Sequence, residues 1–317
     1  MKVPREFFHN LKELPREEVL TPGSPLCAGC GGLTTLRLML EVLGEKVVVV
    51  NAAGCLTLLA VYPFTPLKAS WLYTTMGSAS AGAQGIRDAL DILLAKGLAP
   101  EENLQVVVVA GDGATLDIGL SSLSGAIHRG LDFYYLCYDN EAYGNTGFQM
   151  SSGTPYASRT TTSAPGDGSS VGARGQKKDL FAIWLAHRPP YVATLSAADP
   201  LDLAEKVRRA SSLPGPKLFT ALAACPTGWG YDPQHSQQVA KLAIATGIWP
   251  LKEAIHGVVR HTYIPDCRHP VEEYLRTQRR FHHLFFPRKN EAALARIQKA
   301  VNDYWREVGQ STAGSPR

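Results

Sequence analysis

Two sets of residues in this sequence combine side-chain types and spacing that could do chemistry. In the first, Cys27 and Cys30 form CxxC in SPLCAGCGG, Cys55 closes NAAGC, and Cys225 opens CPTGW. Four thiolates suit structural Zn²⁺ or a [4Fe-4S] cluster. Spacing leaves both open, together with unliganded core cysteines, because CxxC is common to the two and the long gaps match neither compact zinc fingers nor the ferredoxin run. Cys137, inside FYYLCY, reads as a buried small hydrophobe and Cys267, in PDCRHP, as a free thiol, too few for a second such set. The other set is Gly111, Asp112 and Gly113, followed by Asp139, Asn140, Glu141, Ala142, Tyr143, Gly144 and Asn145. The glycines let backbone approach a diphosphate, Asp112 offers a hard anionic oxygen for Mg²⁺, and the Asn140 amide oxygen offers a second ligand. Taken alone, GDG also reads as a plain strand-to-helix turn.

The elements that must position these residues alternate in period. Apolar runs at 47–52, 106–111, 132–139, 191–196 and 217–224 read as buried strands, and helical patterns occupy 33–43, 78–96, 115–129 and 199–211 between them. Asp199 and Pro200 form a cap and first-turn pair for the last of these helices. The pattern predicts an α/β fold, a doubly wound and mostly parallel sheet with a C-terminal helical arm. Every candidate residue then falls at the carboxyl end of a strand or in a loop beside one, where open α/β sheets take their ligands. The expected organisation is an N-terminal extension (1–23), a cofactor-binding domain (24–230) and the arm (231–317), with helices near 236–247 and 290–308 and no further buried strand after Cys225. The Gly, Ser and Thr-rich stretch 144–178 is too long for an idle connection and reads as a cover over the site.

Composition excludes several classes. A net charge of +4, from 32 basic and 28 acidic residues spread along 317, gives no basis for nucleic-acid binding. No window has the length and apolarity of a membrane span, and the charged start lacks the apolar core of a signal peptide, so a cytoplasmic protein with reduced thiols is expected. The nine histidines form no metal-type pair; His282 and His283, with Arg279, Arg280 and Lys289, read as a solvated or partner-facing basic run.

GDG, 26 further residues and then Asn140 resemble the thiamine-diphosphate motif of transketolase-like and decarboxylase enzymes. That resemblance implies Mg²⁺ on the side chains of Asp112 and Asn140 and the carbonyl of Ala142. More specifically, CAGCGG, NAAGC, GDGATLDIG, DNEAYGNTGFQMSSGTP, PYVAT, ACPTGW, TGIWPL and PVEEYL, spread in order from about residue 24 to 276, resemble the β subunits of the 2-oxoacid:ferredoxin oxidoreductases, the pyruvate-using ones most closely. The resemblance implies thiamine diphosphate, Mg²⁺ and one [4Fe-4S] cluster on Cys27, Cys30, Cys55 and Cys225, with Asn145 hydrogen-bonding the substrate. It also implies reversible oxidative decarboxylation of pyruvate with coenzyme A, with ferredoxin reduced. Branched-chain 2-oxoacids or oxalate are alternative substrates, and a non-redox thiamine enzyme subunit with structural zinc is the rival class. With one thiamine-type unit in the chain, an α subunit is expected to supply the glutamate that activates the aminopyrimidine ring. Gamma and ferredoxin-like delta subunits would carry electrons onward, and the chain alone is expected to be inert.

Overall fold

Valine-rich runs become strands because β-branched side chains pack well on a pleated surface covered on both faces. In the computed structural model, which describes residues 4–61, 63, 65–99, 104–166 and 171–313 (without side chains for 311–313), these runs form β1 (Val47–Ala52), β3 (Gln105–Gly111), β4 (Tyr134–Asp139), β5 (Tyr191–Ser196) and β6 (Lys217–Leu222). A short strand the sequence did not flag, β2 (Ser70–Thr74), lies at one edge, largely exposed. The sheet order is β2-β1-β3-β4-β6-β5-β7-β8, parallel from β2 through β5.

Helices α1 (Gly31–Leu43) and α5 (Pro200–Ala210) pack on one face, and α2 (Ala79–Ala95), α3 (Leu120–His128) and α4 (Leu180–Leu185) on the other. The Asp199 side chain caps α5 through the Asp202 N–H, with Pro200 in the first turn. The helix expected over 115–129 is divided: Ala114–Ile118 is a π-turn, and α3 begins after Gly119. Such turns widen a helix where a site needs room.

The expectation of no strand after Cys225 is corrected. Strands β7 (Lys252–Ile255) and β8 (Val258–His261) extend the sheet in antiparallel fashion, joined through His256 and Gly257, both at positive φ. Four residues each, with charged Lys252 and Glu253 inside, they carry no buried-strand signature; Glu253 is nevertheless fully buried, its charge met by Arg209 and Arg260. Helices α6 (Pro226–Trp229), α7 (Ser236–Ala245), α8 (Val271–Arg276) and α9 (Glu291–Ala313) gather a third apolar cluster at the strands' carboxyl ends, around Trp229, Tyr274 and Phe281.

Candidate active site

Strand β3 delivers Gly111 and Asp112, and β4 delivers Asp139 and Asn140, to the same end of the sheet because the two strands are hydrogen-bonded neighbours. Asp112 is completely buried. Burial pushes its carboxyl well above the usual range, and the nearby Asp139 carboxylate adds to the effect. Ser151 donates a hydrogen bond to Asp112 Oδ2, and Gly153 lies so close that a Cβ there would stand 2.7 Å from the same oxygen.

Beside Asp112, the Asn140 amide oxygen faces Asp112 Oδ1 at 2.9 Å and the Ala142 carbonyl oxygen at 2.6 Å. Three oxygens this close need relief. Either the amide turns over and donates two hydrogen bonds, or a cation sits among them; an acidic oxygen, an amide oxygen and a carbonyl are the donors that Mg²⁺ accepts. The residues therefore fit the metal suggested for them.

The turn that carries these donors is held by charges the sequence did not single out. Glu141 is buried with φ of 67°, an uncommon conformation for a residue with a side chain. Lys177 Nζ lies 2.6 Å from Asp139 Oδ2 and 2.8 Å from Glu141 Oε1, and Arg280 pairs with Glu141 Oε2 at 2.6 Å. Burial alone would raise the Glu141 carboxyl, but Lys177 and Arg280 outweigh it and hold it low. Trp229 donates its indole N–H to the Asn140 carbonyl at 2.9 Å, and the Arg280 guanidinium stacks over its ring. Arg280, expected to be solvated or partner-facing, is thus buried in the site's foundation. His283, placed in the same basic run, is half-buried and bonds the Val171 carbonyl.

Gly113 owes its place to Tyr143 rather than to open backbone: a Cβ there would meet the Tyr143 ring at 2.3 Å. The Tyr143 hydroxyl donates to Asp117 Oδ2 at 3.0 Å, pinning the turn 143–149 whose exposed tip carries Asn145. The stretch 144–178 is built into the molecule: Ser151, Thr154, Ser158 and Thr160 are buried, and Arg159 N–H bonds the Arg280 carbonyl. Residues 167–170 of this stretch lie outside the described residues.

Cys55 follows β1, Cys225 follows β6, and Cys27 and Cys30 precede α1. Gly31 brings the last pair to Cys225, since its N–H bonds the Ala224 carbonyl and a Cβ on it would stand 2.6 Å from the Ala224 nitrogen. The four thiols feel one another. Burial pushes Cys55 up to about 12, with Cys225, Cys30 and Cys27 adding repulsion, and burial pushes Cys225 up to about 11. Backbone N–H groups of Leu33 and Gly228 point at the sulfurs of Cys30 and Cys225. Among the described residues no three Cys, His, Asp or Glu side chains stand at the spacing that grips a single ion. Four thiols, with backbone N–H donors at two of them, nevertheless form a donor set that suits an iron-sulfur cluster, whose potential such hydrogen bonds tune. Cys137 is buried in β4 and Cys267 is exposed, as expected.

Gly144 joins the two sites. A Cβ on it would stand 2.8 Å from Asn140 Nδ2 and 3.4 Å from Cys55 Sγ.

Residues 52–221 match the family described as thiamine pyrophosphate enzyme, C-terminal TPP binding domain. Pyruvate synthase subunit PorB of Methanocaldococcus jannaschii is 42% identical over 94% of this chain and 98% of its own, and that of Methanothermobacter thermautotrophicus 45% over 93% and 99%. Ketoisovalerate oxidoreductase subunit VorB of Pyrococcus horikoshii is 38% identical over 97% of each. In fold, the chain is similar to a 2-oxoglutarate:ferredoxin oxidoreductase from Magnetococcus marinus, with a TM-score of 0.55 and 20% identity over 75% of this chain and 84% of that one. No helix among the described residues is long and apolar enough to cross a membrane.

Proposed function

This chain belongs to the β subunits of the 2-oxoacid:ferredoxin oxidoreductases, and on that premise we propose that it carries out the oxidative decarboxylation of pyruvate with coenzyme A, reducing ferredoxin. The observation that carries the reading is the convergence of Asp112, Asn140 and Ala142 oxygens beside a glycine-flanked strand end. These three would hold Mg²⁺, which would anchor the diphosphate. When bound, thiamine diphosphate supplies the nucleophilic carbon that reacts with the 2-oxo group, and the [4Fe-4S] cluster supplies a one-electron acceptor.

The rest is the work of the chain's own side chains. Lys177 and Arg280 hold Glu141 in its left-handed conformation, which aims Asn140 and the Ala142 carbonyl at the metal. Asn145, exposed at the tip of the next turn, hydrogen-bonds the substrate's carboxylate or keto oxygen. Cys27, Cys30, Cys55 and Cys225 hold the cluster, and Gly144 keeps the two sites in contact. Residues 24–230 carry both sites. The flanks brace them: Arg280 reaches in from the C-terminal segment, and the N–H groups of Glu6, Phe7 and Phe8 bond the Glu205 carboxylate.

An α subunit supplies the activating glutamate, and gamma and ferredoxin-like delta subunits take the electrons. Exposed apolar residues near the site, Ile118 and Met150, with Leu72 and Tyr73 on the β2 edge, support such docking. The ketoisovalerate relatives favour a branched-chain 2-oxoacid as the second reading. Reduction of a ferredoxin analogue by the assembled complex, compared across pyruvate, 2-oxoisovalerate, 2-oxoglutarate and oxalate, decides between them; the first reading expects the highest kcat/KM with pyruvate. Iron and acid-labile sulfide in anaerobically purified protein test the cluster, and one zinc per chain without sulfide would overturn it.

A further inference from the structure

A cavity of about 430 Å³ lies between α9, α4 and the face of β6, β5 and β7. Its size is that of a small-molecule site. Neither Asp112 nor any of the four cysteines lines it; its lining reaches Asp139, Glu141 and Lys177, so it abuts the back of the turn described above rather than the oxygens of Asp112, Asn140 and Ala142.

Three residues form one row across its floor. Thr220 on β6 is in register with Thr194 on β5, and the Thr194 hydroxyl exchanges hydrogen bonds with the backbone N–H and C=O of Lys252 on β7. In-register neighbours put their side chains on the same face of a sheet. The Lys252 side chain therefore enters the cavity, where its Nζ stands over the rings of Phe181 at 4.4 Å and Tyr304 at 5.1 Å.

Lys252 is only 8% exposed, yet among the described residues its Nζ has no hydrogen bond or ion pair. The other buried lysines differ, since Lys206 has Asp202 and Lys217 has Asp132; the half-buried Lys177 has two carboxylates. The Thr220 hydroxyl is also buried without a partner. The Asp179 carboxylate on the same lining acts on Lys252 only from beyond ion-pair distance; a buried ammonium without a contacting anion is costly, and two ring faces leave its N–H donors unsatisfied. Beyond this polar floor Leu222, Ile297 and Val301 form an apolar wall along α9, with the carboxylates of Asp139, Glu141 and Asp179 elsewhere on the lining.

We propose that this cavity binds a free medium-chain organic carboxylate, its head group held by Lys252 and the Thr220 hydroxyl and its chain lying against α9. An anion satisfies the ammonium, its second oxygen accepts from Thr220, and the aliphatic chain replaces water along the apolar walls.

Titration of the assembled enzyme complex with [1-¹³C]octanoate, followed by calorimetry and the carboxyl ¹³C resonance, tests this. Saturable binding with a shifted resonance is expected, unaffected by saturating thiamine diphosphate, with 1-octanol binding more weakly. Lys252→Met should weaken octanoate at least tenfold and leave 1-octanol unchanged, and Thr220→Val should weaken octanoate severalfold. Without any ligand, Lys252→Met should raise the thermal midpoint, since a lysine that served only the fold would lower it on removal. Failure of octanoate to bind, equal affinity for 1-octanol, displacement by thiamine diphosphate, or undiminished octanoate binding in Lys252→Met would each overturn the proposal.

Discussion

The turn that carries Asn140 and Ala142 and the cysteine corner meet at Gly144, and both concentrate anionic donors, but they are balanced differently. At the turn, Asp139 and Glu141 have ion-pair partners within the chain in Lys177 and Arg280, which hold Glu141 low although burial still raises Asp139, while Asp112 has no such partner among the described residues and is raised as well. At the corner no lysine or arginine forms an ion pair with a thiol among the described residues; burial raises Cys30, Cys55 and Cys225, mutual repulsion adds to it, and Arg280 offsets it only in part at Cys225. Charges that serve the backbone have ion-pair partners in the protein. Asp112 and the four cysteines have none among the described residues, which is the balance that the proposed function expects of donors taking an external cation.

Replacement of one donor on each side is the strongest way to break this comparison. Cys225→Ser should abolish the absorbance near 400 nm and most iron and sulfide while leaving thiamine diphosphate affinity near that of the parent. Asp112→Asn should do the reverse, weakening Mg²⁺-dependent cofactor binding by more than about 100-fold, beyond what loss of an outer-shell partner costs, with iron content retained. Loss of both properties in either variant would mean that the two sites are one unit.

Arg280→Met should act on stability, because it leaves Glu141 buried with one counter-charge fewer; a loss of about 3 kcal/mol in denaturant unfolding is expected. A value near zero would show that Lys177 suffices. Gly144→Ala sharpens the contact between the regions. Its Cβ would crowd Asn140 Nδ2 and touch Cys55 Sγ, so about 1–3 kcal/mol of overpacking should appear as weaker cofactor binding and a perturbed cluster spectrum together.

The smallest effect lies away from both sites, at Glu253, whose carboxyl is held low because Tyr191, Arg209 and Arg260 outweigh its burial. Its ionised form is favoured by the fold, so this contribution is present above pH 4.5 and is lost as pH falls through the lower folded value. Glu253→Gln should therefore flatten the acid limb of a stability profile below pH 4.5, an outcome that thermal midpoints across that range would reveal.

Asp112, Asn140 and Ala142 were legible in the sequence because a glycine-flanked acid at one strand end and an amide at the next form a local pattern in which spacing implies proximity. Lys177 and Arg280 were not. A lysine in a Gly and Ser-rich stretch and an arginine in a basic run have the pattern of solvated charges, and their partner Glu141 is remote in sequence. Strands β7 and β8 escaped for a related reason: four residues with internal charges show no period until Arg209 and Arg260 neutralise Glu253.

By itself the sequence determined the alternation of buried strands and helices, the chemistry of each donor, and the family to which the chain belongs. It did so because apolar period and residue type are local properties. Only the tertiary structure decided that the thiols of β1, β6 and the α1 approach share one corner, that Gly113 makes room for Tyr143, and that Lys252 is buried without an ion pair among the described residues. Those facts depend on which segments the sheet order makes neighbours, and that order is fixed by packing of the whole chain.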